Sequence, residues 1–430
     1  MPLFDRQALL DDVPRREVLA WASYDFANSG YTTVVLTAVF NAYFVGVIAA
    51  HLAYPTLAWT LALAASSALA FFLLPAIGVY ADLYARKKQA LAVVTVGCVA
   101  GTAALALTDK GDMALAVGAI IVSNFCFQAG IALNSAFLPE LAKPETLGKV
   151  SGWGWSFGYL GGLFSLALCL GYVLSAQAAG ASAPQYVPIT MLIVAAVYAI
   201  SAIPMFVWLR ERAQPQTHAD LGTALSASFR GMSRTLKQLG QFRDFGWLLL
   251  CGLLYQAGIA VVIALAAIYA QEVMHFTMAQ TMMLILLVNI TASIGAFVFG
   301  YVQDRLGHRP TLAITLIGWI GMVLIAATTS SVAAFWLAAN LAGLCMGASQ
   351  SAGRALVGYF APADRRAEFY GLWNAAMGLA AIIGPPTYGL VTWITHNDHR
   401  LAILISGLYF VLGLLVLAKV NVARGRAAVA

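Results

Sequence analysis

Charge is what this sequence has least of. Of its 430 residues only 10% are Asp, Glu, Lys or Arg, while 61% are hydrophobic. A soluble domain carries about 25% charged residues, so this chain could not cover a water-facing surface. That excludes a soluble enzyme or regulator and leaves a chain that lives in lipid. Backbone hydrogen bonding then permits only helices or a closed barrel. The apolar runs reach the roughly 20 residues a spanning helix needs and lack the alternation of barrel strands, which selects helices.

Cysteine is scarce as well. Cys98, Cys126, Cys169, Cys251 and Cys345 each lie in a separate apolar run, with no CxxC pair and no His at ligand spacing. They read as buried free thiols, so neither a disulfide framework nor a metal or cofactor is expected. The start, MPLFDRQALLDDVPRREV, has no apolar stretch followed by a small-residue cleavage site, so no cleaved leader is expected. The six histidines (His51, His218, His275, His308, His396 and His399) fall in connections or at the ends of runs. None can join an interior acid, which argues against a membrane-embedded enzyme.

What is there is a series of twelve apolar spans, at about 18–49, 56–81, 89–108, 113–138, 147–175, 187–209, 245–271, 278–302, 310–330, 332–360, 367–395 and 400–420. The one long connection, 210–244, divides the chain into halves 1–209 and 245–430. Within it Leu225, Phe229, Met232, Leu236 and Leu239 recur at helical spacing, with Arg230, Arg234 and Lys237 between them. This predicts an amphipathic helix on the membrane surface, with a disordered linker as the alternative. If the N-terminus is cytoplasmic, the external connections hold only Lys110 and Arg400 of the 24 Lys and Arg. That asymmetry places both termini inside, in a cell (inner) membrane. It also explains the net charge of +6 without a nucleic-acid partner.

The halves resemble each other. Gly78-Val-Tyr-Ala-Asp82 ends span two and runs into Arg86, Lys87 and Lys88. Gly300-Tyr-Val-Gln-Asp304 ends span eight and runs into Arg305 and Arg309. The same interval carries Gln128 of span four onto Gln350 of span ten. Matching spans in the same order and orientation make a parallel repeat, the architecture of major facilitator transporters. The expected fold is therefore all-α and integral to the membrane, a major facilitator fold of twelve transmembrane helices in two pseudo-symmetric six-helix bundles. An Asp at the end of its own helix opposes the helix dipole and is tolerable if it caps another helix. In such a fold Asp82 would cap the turn near Ala367 and Asp304 the turn near Leu147. Together with Glu368 at the start of span eleven, these loops would latch one face shut; a generic basic loop is the alternative.

Several stretches resemble the vacuolar amino-acid effluxer-like family of autophagy-linked permeases and its bacterial members. They are YDFANSGY at 24–31, AFLPELA at 136–142, SGWGWSFGYLGG at 151–162 and QSAGRALVGYFAPADRRAEFYG at 350–371. Leu83-Tyr84-Ala85 departs from the Arg-x-Gly expected after the first Asp, whereas Arg305-Leu-Gly307 keeps it. The resemblance implies secondary transport, and an amino acid as one candidate solute.

In this fold spans one, four, seven and ten line the cavity, and the interior polar residues concentrate there. They are Asp25 and Asn28, then Asn124, Gln128 and Asn134, then Gln256, then Gln350 and Arg354. Amides donate and accept, which suits a small zwitterion or polyol; helix-to-helix glue is the alternative. Trp155 of span five and Asn374 of span eleven are further candidates, Trp155 standing equally well as an interface anchor. Arg354 has three readings: pairing with Glu368, clamping an anionic solute group, or answering Asp25. Asp25, about 10 Å into span one, is the one acid clearly inside the hydrocarbon. Burial in general favours the neutral form of a carboxyl group, so Asp25 is expected either to carry a coupling proton or to act as a static gate. The expected protein is a monomeric secondary transporter that moves a small polar solute by alternating access and works without cofactors. A non-transporting receptor or scaffold is the rival class.

Overall fold

The computed structural model describes residues 6–143, 147–212, 222–223, 226, 242–360 and 366–427; the side chains of Asp82, Asp304, Arg305, Arg354 and Glu368 are among those outside the description. Among the described residues, twelve helices are long and apolar enough to cross a membrane. They are α1 (the composite Arg15–Ile48), α2 (Pro55–Leu83), α3 (Lys87–Leu105), α4 (Met113–Ser135), α5 (Leu147–Ala178) and α6 (Ala183–Trp208). After the long connection come α7 (Arg243–Glu272), α8 (Met278–Leu306), α9 (His308–Thr328), α10 (Val332–Phe360), α11 (Arg366–Ile394) and α12 (His399–Leu417). The residues expected to mark the amphipathic helix, Leu225, Phe229, Arg230, Met232, Arg234, Leu236, Lys237 and Leu239, lie outside the described residues.

The chain divides into two compact units, Met1–His51 with Ala65–Ser226, and Leu52–Ala64 with Ala227–Ala430. In the first, α1 packs on α5 and α6, and α3 packs on α4 and α6. In the second, α7 packs on α11 and α12, and α9 packs on α10 and α12. The repeat seen in the sequence is thus a repeat of helix neighbours. Lipid tails are as apolar as leucine, so close packing rather than water exclusion holds such helices together. Gly161 shows how close: a Cβ there would overlap the backbone carbonyl of Phe26, so α5 and α1 touch main chain to main chain. The second unit uses aromatic surfaces, with Trp319 of α9 stacked on Phe410 of α12 at 4.9 Å and 4°. All five cysteines are buried free thiols.

Span one is less continuous than its apolar run suggests, and span eleven keeps its helix through two prolines. Span one starts at Arg15, after Pro14 in extended backbone, where a missing amide costs no helical bond. It then runs as regular helix only to Tyr31, continues in wide turns over Thr32–Ala38, and breaks at Val39 with φ −124° and ψ −64°. The cause is local. The run Thr32-Thr33-Val34-Val35-Leu36-Thr37 crowds β-branched side chains against the preceding turn. The Thr37 hydroxyl donates to the Thr32 carbonyl at 3.0 Å, and the Asn41 amide to the Thr37 carbonyl at 3.1 Å. Conversely, Gly384-Pro385-Pro386 places three poor helix formers in a row, yet α11 is helical from Arg366 to Ile394. Spanning helices absorb proline because neighbouring groups take up the freed carbonyls.

Each unit is closed by a carboxylate at the start of its first helix that grips the chain leaving its last. Glu17, 2% exposed, accepts from Nη1 and Nη2 of Arg212 at 2.7 and 3.3 Å, and from the Arg210 amide at 3.3 Å. Asp244, 3% exposed, accepts from Nε and Nη2 of Arg424, both at 2.7 Å, and from the Asn421 amide at 2.8 Å. Arg212 also binds Asp12 at 2.7 Å, and this hydrogen bond holds the Asp12 carboxyl below the usual carboxylate range. A planar guanidinium suits such forked contacts. Replacing Asp244 with Asn should release the segment after α12, so limited trypsin digestion should cut at Arg424 and Arg426 faster than in the parent protein. An unchanged digestion rate would show that the clasp does not hold that segment. Gly161→Val should lower stability by about 1–3 kcal/mol through overpacking, read as an earlier thermal transition in detergent.

Candidate functional site

Asp25 lies ten residues after Arg15, or roughly 15 Å along α1 at 1.5 Å per residue. It is deeper than its expected 10 Å because the helix begins earlier. Its Oδ1 accepts from Nδ2 of Asn134 on α4 at 3.0 Å. The Asn134 backbone carbonyl in turn accepts from the Trp21 indole at 2.8 Å, which ties α1 to α4 a second time, one turn before the acid. Gly154 of α5 completes the enclosure: a Cβ there would run into Asp25 Oδ2 and the Trp21 ring. No cation lies within ion-pairing range of Asp25 among the described residues. The group that answers the carboxylate is a neutral amide.

One turn on, Asn28 belongs to a second chain of contacts. Its Oδ1 accepts from the Tyr198 hydroxyl of α6 at 2.7 Å. The same hydroxyl meets Tyr24 at 3.3 Å, and Tyr24 meets Thr95 of α3 at 2.8 Å. Buried polar groups are normally satisfied, and two atoms here are exceptions. Asn28 Nδ2 and Asn134 Oδ1 have no hydrogen-bond partner among the described residues. A donor and an acceptor are thus unspent on the two residues that flank Asp25, one along its helix and one across from it.

The second unit has no acid at the corresponding place. Gln256 of α7 and Gln350 of α10 form a reciprocal amide pair, Nε2 of each donating to Oε1 of the other at 2.7 and 3.2 Å. Gln128, the counterpart of Gln350 in the first unit, instead donates to Ser67 of α2 at 3.4 Å, and Asn124 bonds to Ser66 beside it. Trp155 is half exposed, its ring tilted against Tyr159 at 6.3 Å. Asn374 is exposed on α11. The side chain of Arg354 lies outside the described residues, so none of its three readings is decided.

Of the residues proposed as a latch, Gly78 and Gly300 sit within α2 and α8, and a Cβ at Gly78 would meet nothing. The side chains of Asp82, Asp304, Arg305 and Glu368 are outside the description. Arg86 reaches the Tyr80 hydroxyl at 3.3 Å on the surface. Arg309 donates to the Leu417 and Ala418 carbonyls at 3.3 and 3.0 Å, capping the end of α12 inside its own unit.

Tyr24, Thr95 and Tyr198 were not singled out from the sequence. Tyr24 stands directly before Asp25 in the YDFANSGY stretch, but Tyr198 is one tyrosine within an apolar run, and nothing in its neighbours marks it. Replacing Asn134 with Ala would strip Asp25 of its donor. Leaving a buried acceptor unmet costs about 1–3 kcal/mol, so the variant should melt earlier in detergent. Asp25→Asn with Asn134→Ala should recover part of the loss, because no charge is then left unanswered; a double variant no better than the single would separate the two residues energetically.

Twelve spanning helices in a repeated pattern, with polar side chains gathered on α1, α4, α7 and α10, define a multi-pass membrane transporter of the major facilitator type. Residues 56–430 match the model of the family described as vacuole effluxer Atg22 like, and the chain belongs to that family. It is 25% identical to the uncharacterized MFS-type transporter YxiO of Bacillus subtilis, over 93% of this chain and 94% of that protein. It is 24% identical to autophagy-related protein 22 of Saccharomyces cerevisiae, over 77% of this chain and 71% of that one. In fold it matches the crystal structure of a D-xylose-proton symporter with a TM-score of 0.71 at 15% identity, over 95% of this chain and 98% of that one. The family is one of transporters, not of enzymes.

Proposed function

We propose that this protein is a secondary active transporter that moves a small polar solute by alternating access, with Asp25 carrying a coupling proton. The observation behind the reading is the setting of Asp25: a carboxyl group held by the Asn134 amide, without a cation, between two unspent polar atoms. A carboxyl group held by a neutral amide can take up and release a proton without stranding a partner cation. Protonating an ion-paired acid inside lipid leaves its partner cation uncompensated. The unspent amide atoms and the Gln256–Gln350 pair supply both donors and acceptors, the equipment for a solute with mixed polarity. An amino acid is the solute class that the resemblance to the vacuolar amino-acid effluxer-like permeases implies. The protein acts as a monomer in the cell's inner membrane; its termini are cytoplasmic, an orientation that the distribution of Lys and Arg supports. The Asp82 and Asp304 loops, with Arg86, Arg305 and Glu368, serve as its conformational latches.

Solute and coupling are testable together. Thermal stability of the purified protein, screened against amino acids, sugars and nucleosides, should rise with the transported class alone. In liposomes an imposed proton gradient should then drive that solute's accumulation. Asp25→Asn should abolish gradient-driven accumulation by at least about tenfold while leaving counterflow exchange intact. Unchanged accumulation in Asp25→Asn would remove this residue as the proton carrier. Loss of counterflow as well would assign it to solute binding or folding instead.

A further inference from the structure

The cations around the Glu17 clasp are not all used. Lys87 pairs with Glu140 at 3.0 Å, and Arg212 is taken by Glu17 and Asp12. Glu140 also accepts from the Arg212 amide at 2.8 Å. Glu211 spends both oxygens on the first amides of α3, accepting from Lys87 and Lys88 at 2.6 and 3.2 Å. Every described acid at this end of the unit that could neutralise a neighbour is therefore engaged. The guanidinium groups of Arg16 and Arg210 make no hydrogen bond or ion pair with a described residue, and Lys88 Nζ donates only to the Leu209 carbonyl at 2.7 Å.

These three cations line one groove, of about 620 Å³, together with Val207, Trp208, Leu209 and Glu211. Its lining includes chain that has just left α6, in extended backbone at Leu209 (φ −69°, ψ 134°). Its rim toward the apolar length of α6 is Val207, 64% exposed, and Trp208, 43% exposed. Tryptophan at a helix end sits at the level of the lipid headgroups. The groove thus places three cations against one engaged carboxylate at the plane where α1 begins, α3 begins and α6 ends.

We propose that this groove binds the phosphodiester headgroup of an anionic phospholipid of the adjoining leaflet. Arg16, Lys88 and Arg210 would meet the phosphate oxygens, and Val207 and Trp208 the start of the acyl chains. A basic recess between spanning helices is suited to such headgroups. A soluble phosphate would find the same cations but would leave the exposed apolar rim unused. Because Arg210 and Arg212 flank Glu211 on the segment clasped by Glu17, a lipid seated there would also reinforce closure of the first unit.

The test uses the full chain in nanodiscs of phosphatidylcholine with graded phosphatidylglycerol, reading retained lipid by native mass spectrometry and unfolding by thermal melting. The parent protein should retain phosphatidylglycerol in preference to phosphatidylcholine and melt at higher temperature as its fraction rises. Arg16→Gln removes a side chain without a described partner and should fold normally. It should weaken retention about fivefold, the effect of one headgroup-level cation, and Arg16→Gln with Lys88→Gln should weaken it further. Arg16→Lys should restore most of the retention, which a fold defect would not allow. Arg426→Gln, whose charge lies over Tyr359 in the second unit, should leave retention unchanged. Equal retention of both lipids, or equal loss in Arg426→Gln and Arg16→Gln, would overturn the site. Displacement of the lipid by millimolar inorganic phosphate would overturn the assignment to a lipid.

Discussion

Hydrocarbon offers a polar side chain no hydrogen-bond partner, so each one buried in a spanning helix must find its partner on another helix of the protein. The interior of the first unit is arranged around that requirement. Asp25 meets Asn134, whose carbonyl meets Trp21, and Asn28 meets Tyr198, which links through Tyr24 to Thr95. These contacts tie α1 to α3, α4 and α6. The close approach at Gly154 and Gly161 adds α5 to the same cluster. A helix that carries an acid is thereby held on several sides, and the acid stays in place without a counter-ion among the described residues. The unspent atoms on Asn28 and Asn134 stand out because nearly everything around them is satisfied.

The second unit meets the same requirement with different chemistry. Its amide pair, Gln256 with Gln350, is neutral and reciprocal. Gln350 matches Gln128 in the sequence repeat, but Gln128 turns to Ser67 because α2 presents two serines, Ser66 and Ser67, where α4 passes. A duplicated helix pattern therefore carries two unlike polar interiors. The acid lies in the first unit and the neutral amide pair in the second, the division that the proposed coupling through Asp25 would use.

At the ends of the helices water is available, and the two units become alike again. Glu17 with Arg212 and Asp244 with Arg424 repeat one device, down to the backbone amide that each carboxylate also accepts. The clasp is strong in geometry because the acid is buried and the guanidinium forked. Around Glu17, Arg212, Glu140 and Glu211 are all engaged in closing the unit, which leaves Arg16, Lys88 and Arg210 without an acidic partner among the described residues.

The membrane habit, the twelve spans, the parallel repeat and the family were all legible in the sequence. Apolar run length follows directly from bilayer thickness, and a repeated Gly-x-x-x-Asp motif survives as spacing. Asp25 and Asn28 could be picked out for the same reason, since a polar residue inside an apolar run is visible without knowing its neighbours. Their partners were another matter. Tyr198 lies far along the chain from Asn28, Asn134 far from Asp25, and Arg212 far from Glu17. Which of many polar residues meet depends on how helices pack and rotate, and a single sequence carries no record of that. The break at Val39 and the unbroken course of α11 through Pro385 and Pro386 belong to the same class. Local composition sets a preference for bending or breaking, and the surrounding helices decide whether it is realised. The sequence by itself determined that this chain crosses a membrane twelve times and buries one acid on its first helix. Only tertiary structure decided that a neutral amide answers that acid, because the answer comes from another helix.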